Sequence, residues 1–337
     1  MPQERNWLNR IEIRKQVAIP MRDGTKLAAD IYLPDGGSAV PALLMRSPYG
    51  KDIGGNKVYA DPVWYARKGF AVVSQDVRGR WDSEGEFYPY RHESDDGVDS
   101  IKWVVNQQWC SGRVATYGFS YSGAVQMLIS PDLAEGLWAT APGMTGAEFF
   151  EGWTYRNGAF NLNLMVGWAS FLGLTTAIRA HDLAAVETFN AIRASPQRHY
   201  GNLPIRETFP EQIRKYVPFF EDWLDHPRRG PYWEEFSPKR IESGGLPGLY
   251  FGGWYDAFIE GTIESYCRAV DEGDTCQQLV VGPWFHMPLT ANTGSVSFGD
   301  DARNEIDDIH LRFFSRWLRD EENGIEDEPP VRVFVMG

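Results

Sequence analysis

The feature that most constrains this chain is a short apolar run that ends at a serine flanked by small residues. Residues 114–119 read Val-Ala-Thr-Tyr-Gly-Phe, Ser120 follows, and Tyr-Ser-Gly at 121–123 leads into a helical pattern. A strand that turns directly into a helix exposes a serine hydroxyl at the tip of the turn. Gly118 and Ser122 are small because such a turn brings two backbone segments close together. The pattern predicts a strand, a tight turn and a helix, with Ser120 as a candidate nucleophile.

The turn motif by itself leaves an alternative open. It departs from the strict Gly-x-Ser-x-Gly pattern of a nucleophile elbow, because Ser122 stands at the fifth position and Gly123 comes one residue later. A serine at the start of a helix is also a good N-cap, since its hydroxyl accepts a backbone N–H of the first turn. The rest of the chain has to decide between a capping residue and a nucleophile.

Composition limits the class of protein. The 337 residues are 43% hydrophobic and 14% aromatic, which is enough for a large core in one domain with an insertion, or in two domains. A net charge of −13 disfavours nucleic acid and anionic membranes as partners. No apolar run reaches the length of a membrane span, and residues 1–7 lack the apolar segment of a signal peptide.

Cysteine usage and short motifs limit the chemistry. The three cysteines make an odd count without metal-type spacing, which indicates a reducing compartment. Neither a Gly-x-x-x-x-Gly-Lys phosphate loop nor a His-Glu-x-x-His metal motif is present in the sequence. We therefore expect a cytoplasmic protein without a metal or another cofactor, whose partner is a small molecule. Self-association into a homo-oligomer is left open.

The order of hydrophobic patterns predicts an α/β fold with a mostly parallel sheet flanked by helices, because strands and helices alternate along the chain. An antiparallel hairpin is expected at its start, around the Asp23-Gly24 turn signal. Strands are predicted over residues 11–20, 26–34, 41–45, 70–74, 113–117, 137–141, 248–251 and 278–281, and helices over 95–106, 307–319 and from 124 onwards.

The chain divides into four predicted segments. Residues 1–144 and 246–327 form the two parts of the α/β core. Residues 145–245 are rich in aromatic side chains and helical in period, which predicts a helical cap inserted into the core. Residues 328–337 read as a linker and the first strand of a truncated C-terminal β-domain, with a last edge strand of the main sheet as the alternative.

A serine nucleophile needs a base, and the base needs an acid that orients it. In α/β-hydrolases the chain order is serine, acid, histidine. Asp256 lies just after a strand that ends in two glycines, and His286 follows the next strand. Asp256 has an alternative role as the N-cap of the next helix. Asp76, which precedes the serine, is expected to be structural and to bond loop backbone or Arg78.

An oxyanion intermediate needs hydrogen-bond donors. The backbone N–H of Tyr121, the residue after the serine, is the first candidate. The His-Gly-Gly motif that often supplies the second donor is missing, and the chain instead reads Arg-Ser-Pro-Tyr at residues 46–49. The phenol of Tyr49 is therefore a candidate donor, with an ordinary core or surface tyrosine as the alternative.

These segments together resemble the cocaine esterase-like (CocE/NonD) hydrolases, relatives of the peptidase S15 Xaa-Pro dipeptidyl-peptidases and of the glutaryl-7-aminocephalosporanic acid acylases. The resemblance implies an α/β-hydrolase fold and carries a triad onto Ser120, Asp256 and His286, with oxyanion donors at Tyr49 and Tyr121. It also implies a helical cap over the site, and a C-terminal jelly-roll domain missing from this chain. The matching segments are 46–49, 76–79, 83–87, 118–123, 252–256 and 282–286.

One departure concerns the loop after Tyr49. The family usually has an acidic or polar residue where this chain has Gly50. We therefore expect a looser loop at this point than in the family.

The expected activity is cleavage of acyl ester or amide bonds in small molecules, through an acyl-enzyme on Ser120. Two alternatives remain open from the sequence. A dipeptidyl-peptidase would need a carboxylate for the substrate ammonium, for which Glu148 and Glu151 are candidates. A binding protein with this fold would lack activity altogether. The candidate pocket residues are aromatic: Trp153, Tyr155, Trp168 and Trp254.

Overall fold

A computed structural model gives the fold and describes residues 10–52, 58–238, 245–271 and 276–336. The N-terminal residues that bear on a signal peptide lie outside these ranges. Within the described ranges, no helix combines the length and the apolar character that crossing a bilayer would require.

The structure contains a central sheet, a set of flanking helices and a helical segment between two core strands. The strands are β1 (Ile11–Pro20), β2 (Lys26–Pro34), β3 (Val40–Ser47), β4 (Ala71–Asp76), β5 (Cys110–Phe119), β6 (Leu137–Gly143), β7 (Tyr155–Arg156), β8 (Ala159–Phe160), β9 (Gly248–Tyr255), β10 (Gln277–Phe285), β11 (Asn292–Thr293), β12 (Val296–Ser297) and β13 (Val331–Val333). The helices are α1 (Pro62–Arg67), α2 (Glu93–Val105), α3 (Tyr121–Met127), α4 (Leu162–Arg179), α5 (Leu183–Ala194), α6 (Glu211–Arg214), α7 (Pro218–Asp225), α8 (Pro231–Glu234), α9 (Ile259–Asp271) and α10 (Ile306–Arg319).

The main sheet has nine strands in the order β1-β2-β4-β3-β5-β6-β9-β10-β13. Strand β2 pairs antiparallel with both β1 and β4, and the other neighbours are parallel. This mostly parallel sheet with flanking helices confirms the predicted α/β-hydrolase fold class. Because the parallel strands all run the same way, their carboxyl ends meet at one edge of the sheet, where ligand sites of open α/β sheets lie.

Side chains along each strand alternate between the two faces of the sheet, and each face is covered by different helices. Val114 of β5 packs with Val98 and Ile101 of α2. Tyr117 of the same strand packs instead with α1 and α10, through residues such as Phe314. Strands β3 and β4 are buried along nearly their whole length because both of their faces are covered. The core strands are therefore rigid supports for the loops that leave their carboxyl ends.

The segment between β6 and β9 is mainly helical. It contains α4 to α8 and the small β7–β8 hairpin, and its aromatic core is continuous with Tyr121, Val125 and Leu128 around helix α3. The predicted division at residues 145 and 245 stays a prediction. The packing places this helical segment against α3, the helix that follows Ser120.

The last strand differs from the preferred sequence interpretation. Val331–Val333 pairs in parallel with Leu279–Val281 of β10, and the Phe334 N–H donates to the Val281 carbonyl at 2.8 Å. Assigning residues 328–337 to a separate β-domain is therefore wrong for these three residues, and the edge-strand alternative holds. The physical reason is that the outer edge of β10 would otherwise present unpaired backbone groups.

A buried histidine lies between the sheet and α10. Burial lowers the pKa of His310 to about 3. Its Nδ1 is 3.1 Å from the Tyr65 hydroxyl, which donates to Asp307 at 2.5 Å. Its Nε2 is buried and, within the described residues, has no hydrogen-bond partner. The packing around His310 therefore holds the imidazole neutral, because a charged ring would be desolvated without compensation.

This buried imidazole predicts acid sensitivity of the fold. The unfolded chain binds the proton near pH 6.5 and the folded chain only near pH 3, so stability falls as the pH drops below 6.5. The loss from this group is about 1.4 kcal/mol per pH unit. In urea unfolding at several pH values between 7.5 and 5, we expect His310→Phe to lose less stability than the unsubstituted chain. Parallel curves for the two proteins would contradict this.

Candidate active site

Ser120 occupies the turn between β5 and α3 with a left-handed backbone, at φ 58° and ψ −127°. Such angles are strained for a residue with a Cβ, at a cost of about 1–3 kcal/mol. The turn is held by the Ser120 N–H, which donates to the Gly143 carbonyl, and by the Ser120 carbonyl, which accepts from Ala124, both at 2.9 Å. The side chain makes no capping hydrogen bond. The N-cap alternative therefore does not hold, and the hydroxyl is free for another role.

Small residues around the turn are required by close contacts. A Cβ added to Gly118 would lie 2.5 Å from the Ser122 Cβ, and one on Gly123 would lie 2.8 Å from the Gly143 carbonyl. Gly118 also has a φ of 148°, which side chains rarely adopt. The departure from the strict motif is thus accommodated: Ser122 fits because Gly118 leaves room for it, and Gly123 lets α3 approach β6.

Asp256 and His286 form a buried pair after β9 and β10. The Nδ1 of His286 is 2.8 Å from Oδ1 of Asp256, whose side chain is fully buried, whereas the His286 side chain is 29% exposed. The Asp256 carboxylate therefore binds the imidazole rather than capping α9. An ionised carboxylate can only accept, so Nδ1 donates and Nε2 keeps its lone pair. This is the tautomer that a general base requires.

The two oxygens of the Asp256 carboxylate differ in their hydrogen bonding. Within the described residues, Oδ2 of Asp256 is buried and has no hydrogen-bond partner. The charge of the carboxylate is therefore compensated mainly through the His286 imidazole. A positive charge that develops on the imidazole would be stabilised by this under-satisfied carboxylate.

Ser120 and His286 lie in neighbouring positions without a direct bond. The ring of Phe119, the residue before Ser120, packs on the imidazole with 5.5 Å between ring centroids, and Phe258 packs on it at 5.4 Å. Among the described residues, no hydrogen bond joins the Ser120 hydroxyl to His286. Catalytic hydrogen bonds of this kind often tighten only when substrate binds. The structure thus forms the acid–base link of the predicted triad and leaves the base–nucleophile link open.

Tyr49 lies in the loop after β3, and its phenol interacts with Ser120. The indole Nε1 of Trp168 donates to the phenol oxygen at 3.1 Å. Since the oxygen accepts from the indole, its own O–H remains available as a donor. Burial raises the pKa of Tyr49, while its hydrogen bonds to Trp168 and Ser120 and the charge of Arg80 oppose the rise. A neutral phenol that donates a hydrogen bond suits an oxyanion hole.

The Tyr49 loop is fixed by backbone hydrogen bonds. Asp76 accepts the Lys51 N–H at 2.6 Å, and the Ser74 hydroxyl donates to the Lys51 carbonyl at 2.7 Å. Burial raises the pKa of Asp76 to about 6, opposed by the charge of Lys51. The predicted structural role of Asp76 is confirmed, and of the two expected partners the structure shows loop backbone, at Lys51 and Asp82, rather than Arg78. The looser loop expected after Tyr49 stays a prediction, because residues 53–57 lie outside the described residues.

Tyr121 contributes its backbone N–H at the start of α3, where helices have donors without internal partners. Its side chain points into a buried polar cluster: the hydroxyl donates to Glu93 at 2.9 Å, and Glu93 forms a 2.8 Å ion pair with Arg46. Burial raises the pKa of Glu93, and Arg46 opposes this. The Tyr121 hydroxyl also accepts the Tyr90 N–H at 3.0 Å. These bonds anchor the first turn of α3, and with it the backbone N–H.

Two of the four predicted pocket residues lie close to the catalytic candidates. Trp168 contacts Tyr49 through its indole N–H. Trp153 packs on Phe258 with 4.3 Å between ring centroids, and Phe258 in turn packs on His286. The sequence contained no signal for Phe258, because its role depends on how the loop after Asp256 folds back. These rings form an aromatic wall next to the imidazole and the Tyr49 phenol.

The other two predicted pocket residues have different roles. Tyr155 is 3% exposed in the core of the cap, where its hydroxyl donates to the Trp223 carbonyl at 2.8 Å. Trp254 is 39% exposed, and its indole N–H donates to the Phe334 carbonyl at 2.7 Å. Both polar groups are therefore bonded to backbone carbonyls, and the assignment of Tyr155 and Trp254 to a substrate pocket stays a prediction.

Comparison with protein families gives one match over most of the chain. The model of the X-Pro dipeptidyl-peptidase (S15) family matches residues 23–288. A cocaine esterase of Rhodococcus sp. (strain MB1 Bresler) is 34% identical across 96% of this chain and 58% of the relative. The chain therefore spans a little over half the length of this relative.

Solved structures share the fold at low sequence identity. An aminopeptidase from the marine sediment archaeon Thaumarchaeota archaeon superposes with a TM-score of 0.72 at 22% identity, covering 97% of this chain and 57% of that one. A CocE/NonD family hydrolase from Staphylococcus aureus gives a TM-score of 0.71 at 19% identity, covering 96% of this chain and 53% of that one. At these identities the similarity supports the fold alone.

The geometry predicts a reactive hydroxyl at Ser120. We expect a fluorophosphonate probe to label this residue, as located by mass spectrometry of the digested protein, and Ser120→Ala to abolish labelling. Asp256→Asn should slow labelling by roughly 10³–10⁴-fold, because the imidazole loses its productive tautomer. Ser122→Ala is the matched control and should label at the normal rate. Labelling of the Ser120→Ala variant to the normal extent would exclude Ser120 as the nucleophile.

Proposed function

The chain belongs to the X-Pro dipeptidyl-peptidase (S15) family, and from this premise we propose that it is a serine hydrolase. The proposed reaction cleaves acyl ester or amide bonds of small molecules through a covalent acyl-enzyme on Ser120. The observation that supports this most strongly is the 2.8 Å bond between Asp256 and the Nδ1 of His286, at the same edge of the sheet as the turn that presents Ser120.

In the proposed mechanism, Nε2 of His286 removes the proton of the Ser120 hydroxyl as the oxygen attacks the substrate carbonyl. The carbonyl oxygen becomes negative and accepts hydrogen bonds from the Tyr49 phenol and the Tyr121 backbone N–H. His286 then protonates the leaving alcohol or amine. Water repeats the same steps on the acyl-enzyme and releases the acid. Asp256 keeps the imidazole in one tautomer and stabilises its charged form.

An ester or simple amide is a better proposed substrate than a peptide with a free amino terminus. Of the two candidate carboxylates for a substrate ammonium, Glu148 already pairs with Arg229, and one oxygen of Glu151 accepts the Asn157 N–H at 2.8 Å. The relative that is 34% identical over most of this chain is a cocaine esterase. Both observations favour acyl esters over dipeptides.

The aromatic wall supports an apolar group on the substrate. Trp168 donates to the Tyr49 phenol and Phe258 packs on the imidazole, so both rings adjoin the catalytic side chains, whereas Trp153 is 2% exposed and lies behind Phe258. Small-molecule sites are mostly apolar with a few polar groups that fix orientation. We therefore propose that the acyl or leaving group of the substrate packs against these rings, while the scissile carbonyl is oriented by Tyr49.

Three chromogenic substrates separate the proposed activity from an aminopeptidase. We expect the highest kcat/KM for p-nitrophenyl butyrate. Because esters are intrinsically more reactive, the decisive comparison is between two anilides: butyryl-p-nitroanilide should be cleaved at least as well as Ala-Pro-p-nitroanilide. A preference of about tenfold or more for Ala-Pro-p-nitroanilide would reveal recognition of the ammonium and contradict the proposal.

Removal of the Tyr49 hydroxyl tests the proposed oxyanion hole. Tyr49→Phe should lower kcat for p-nitrophenyl butyrate by about 10²–10³-fold with little change in KM, because the phenol would bond the oxyanion more strongly than the ground-state carbonyl. Tyr155→Phe removes a phenol from the cap core and is the matched control, expected to keep kcat. Equal kcat values for Tyr49→Phe and the unsubstituted protein would remove the phenol from the mechanism.

A further inference from the structure

Arg80 is a buried arginine without an acidic partner. Its residue is 1% exposed, and among the described residues no carboxylate lies within the 4.0 Å ion-pair distance of its guanidinium. Arg46, the other fully buried arginine in the described part of the chain, differs because it pairs with Glu93. An unpaired buried charge is expensive, and a neutral side chain would avoid that cost. The position therefore points to a use for the charge.

The guanidinium joins the Tyr49 loop to helix α4. Its Nε donates to the Pro48 carbonyl at 3.0 Å. Its Nη1 donates to the Leu172 carbonyl at 3.1 Å and to the Thr176 hydroxyl at 2.8 Å, and Nη2 donates to the Thr175 hydroxyl. Every one of these acceptors is neutral, so the hydrogen bonds fix the group without cancelling its charge.

The Tyr49 loop and helix α4, which Arg80 joins, also come together at the Tyr49 phenol. Pro48 is the neighbour of Tyr49, and α4 carries Trp168, whose indole donates to the phenol oxygen. Arg80 therefore fixes both the backbone that presents the phenol and the helix that orients it. The guanidinium also lies over the Phe87 ring at 4.8 Å, which closes off its remaining face.

The charge itself acts on the phenol. Burial lowers the pKa of Arg80 to about 10, opposed by Tyr121, Tyr49 and Asp76, so the group remains charged at neutral pH. Burial raises the pKa of Tyr49, and the charge of Arg80 opposes that rise. A positive charge held in a water-poor site favours negative charge on the phenol and on any oxygen bonded to it, and it does so without reorganisation.

We propose that Arg80 is a positioning residue of the oxyanion hole, which locks the Tyr49 loop to α4 and supplies a fixed buried positive charge behind the Tyr49 phenol. This inference rests on the proposed hydrolase function. Arg80 touches neither the nucleophile nor the base, so it acts only through Tyr49. Arg78, which lies in the family-like segment 76–79, has no such role, because it pairs with Asp96 and Asp23.

The test compares Arg80→Gln, which keeps donors but loses the charge, with Arg80→Lys, which keeps the charge. Active sites are first counted by complete fluorophosphonate titration, so that kcat for p-nitrophenyl butyrate refers to folded, reactive sites only. Arg179→Gln is the matched control, because it removes an exposed positive charge that bonds the Ser83 carbonyl of the same region. It should keep kcat.

We expect Arg80→Gln to lower kcat per site by about 10–50-fold with KM within twofold, a smaller effect than loss of a direct donor. Arg80→Lys should recover to within about threefold of the unsubstituted protein. In the Tyr49→Phe background, Arg80→Gln should cost less than about twofold further, since its effect passes through the phenol. If Arg80→Gln gives no titratable sites, Thr176→Val takes its place, with a loss of about threefold that disappears in the Tyr49→Phe background.

Three results would overturn the inference while leaving the hydrolase proposal intact: an unchanged kcat in Arg80→Gln, a loss in Arg80→Lys as large as that in Arg80→Gln, or equal losses with and without the Tyr49 phenol. An unsubstituted protein that neither titrates nor hydrolyses any of the three chromogenic substrates would refute the proposed function, and the role of Arg80 would fall with it.

Discussion

The left-handed backbone at Ser120 is the constraint on which the rest of the site depends. The turn exists only because Gly118 and Gly123 lack side chains that would collide with Ser122 and with the Gly143 carbonyl. Its strain is offset by hydrogen bonds that tie Ser120 to β6 and to the first turn of α3. The same geometry keeps the Ser120 hydroxyl out of a capping hydrogen bond, so that it can interact with the Tyr49 phenol, and it starts helix α3 at Tyr121. Nucleophile and oxyanion donor are thus products of one local conformation.

Around this turn, buried polar groups are used to hold loops in place. Asp256 orients His286, Asp76 holds Lys51 behind Tyr49, and Glu93 anchors Tyr121. Arg80 belongs to the same set, although its acceptors are all neutral. Loops normally adapt their conformation, and these contacts remove that freedom where a reacting group must be placed to within a fraction of an ångström.

Sequence reasoning identified the features that local patterns determine. Strands with continuous apolar runs, the amphipathic helices α2 and α10, and the positions of Ser120, Asp256 and His286 after strand ends all follow from periodicity and chain order. The predicted hairpin of β1 and β2 has the bounds given by the structure, since alternation and the turn signal agree. In these cases the information lies within about ten residues of the feature it specifies.

The sequence could not show contacts made between distant segments. Tyr155 and Trp254 resembled pocket residues by composition, but the backbone carbonyls that bind them lie at Trp223 and Phe334. The sequence predicted a structural role for Asp76 but did not identify Lys51 as the loop residue that it binds, and it gave no signal for Arg80. Strand β13 was misassigned because its partner edge on β10 is about 50 residues away. Each of these depends on tertiary packing that no local pattern encodes.

The most direct test of the account is a crystal structure of the protein with a boronic acid bound to the active site. A tetrahedral boronate on the Ser120 oxygen reproduces the shape and charge of the proposed intermediate. The account predicts one boronate oxygen within about 2.7–3.1 Å of both the Tyr49 hydroxyl and the Tyr121 backbone nitrogen, with Nε2 of His286 facing the Ser120 oxygen. An adduct whose oxygens meet neither donor, or an imidazole turned away from Ser120, would contradict it.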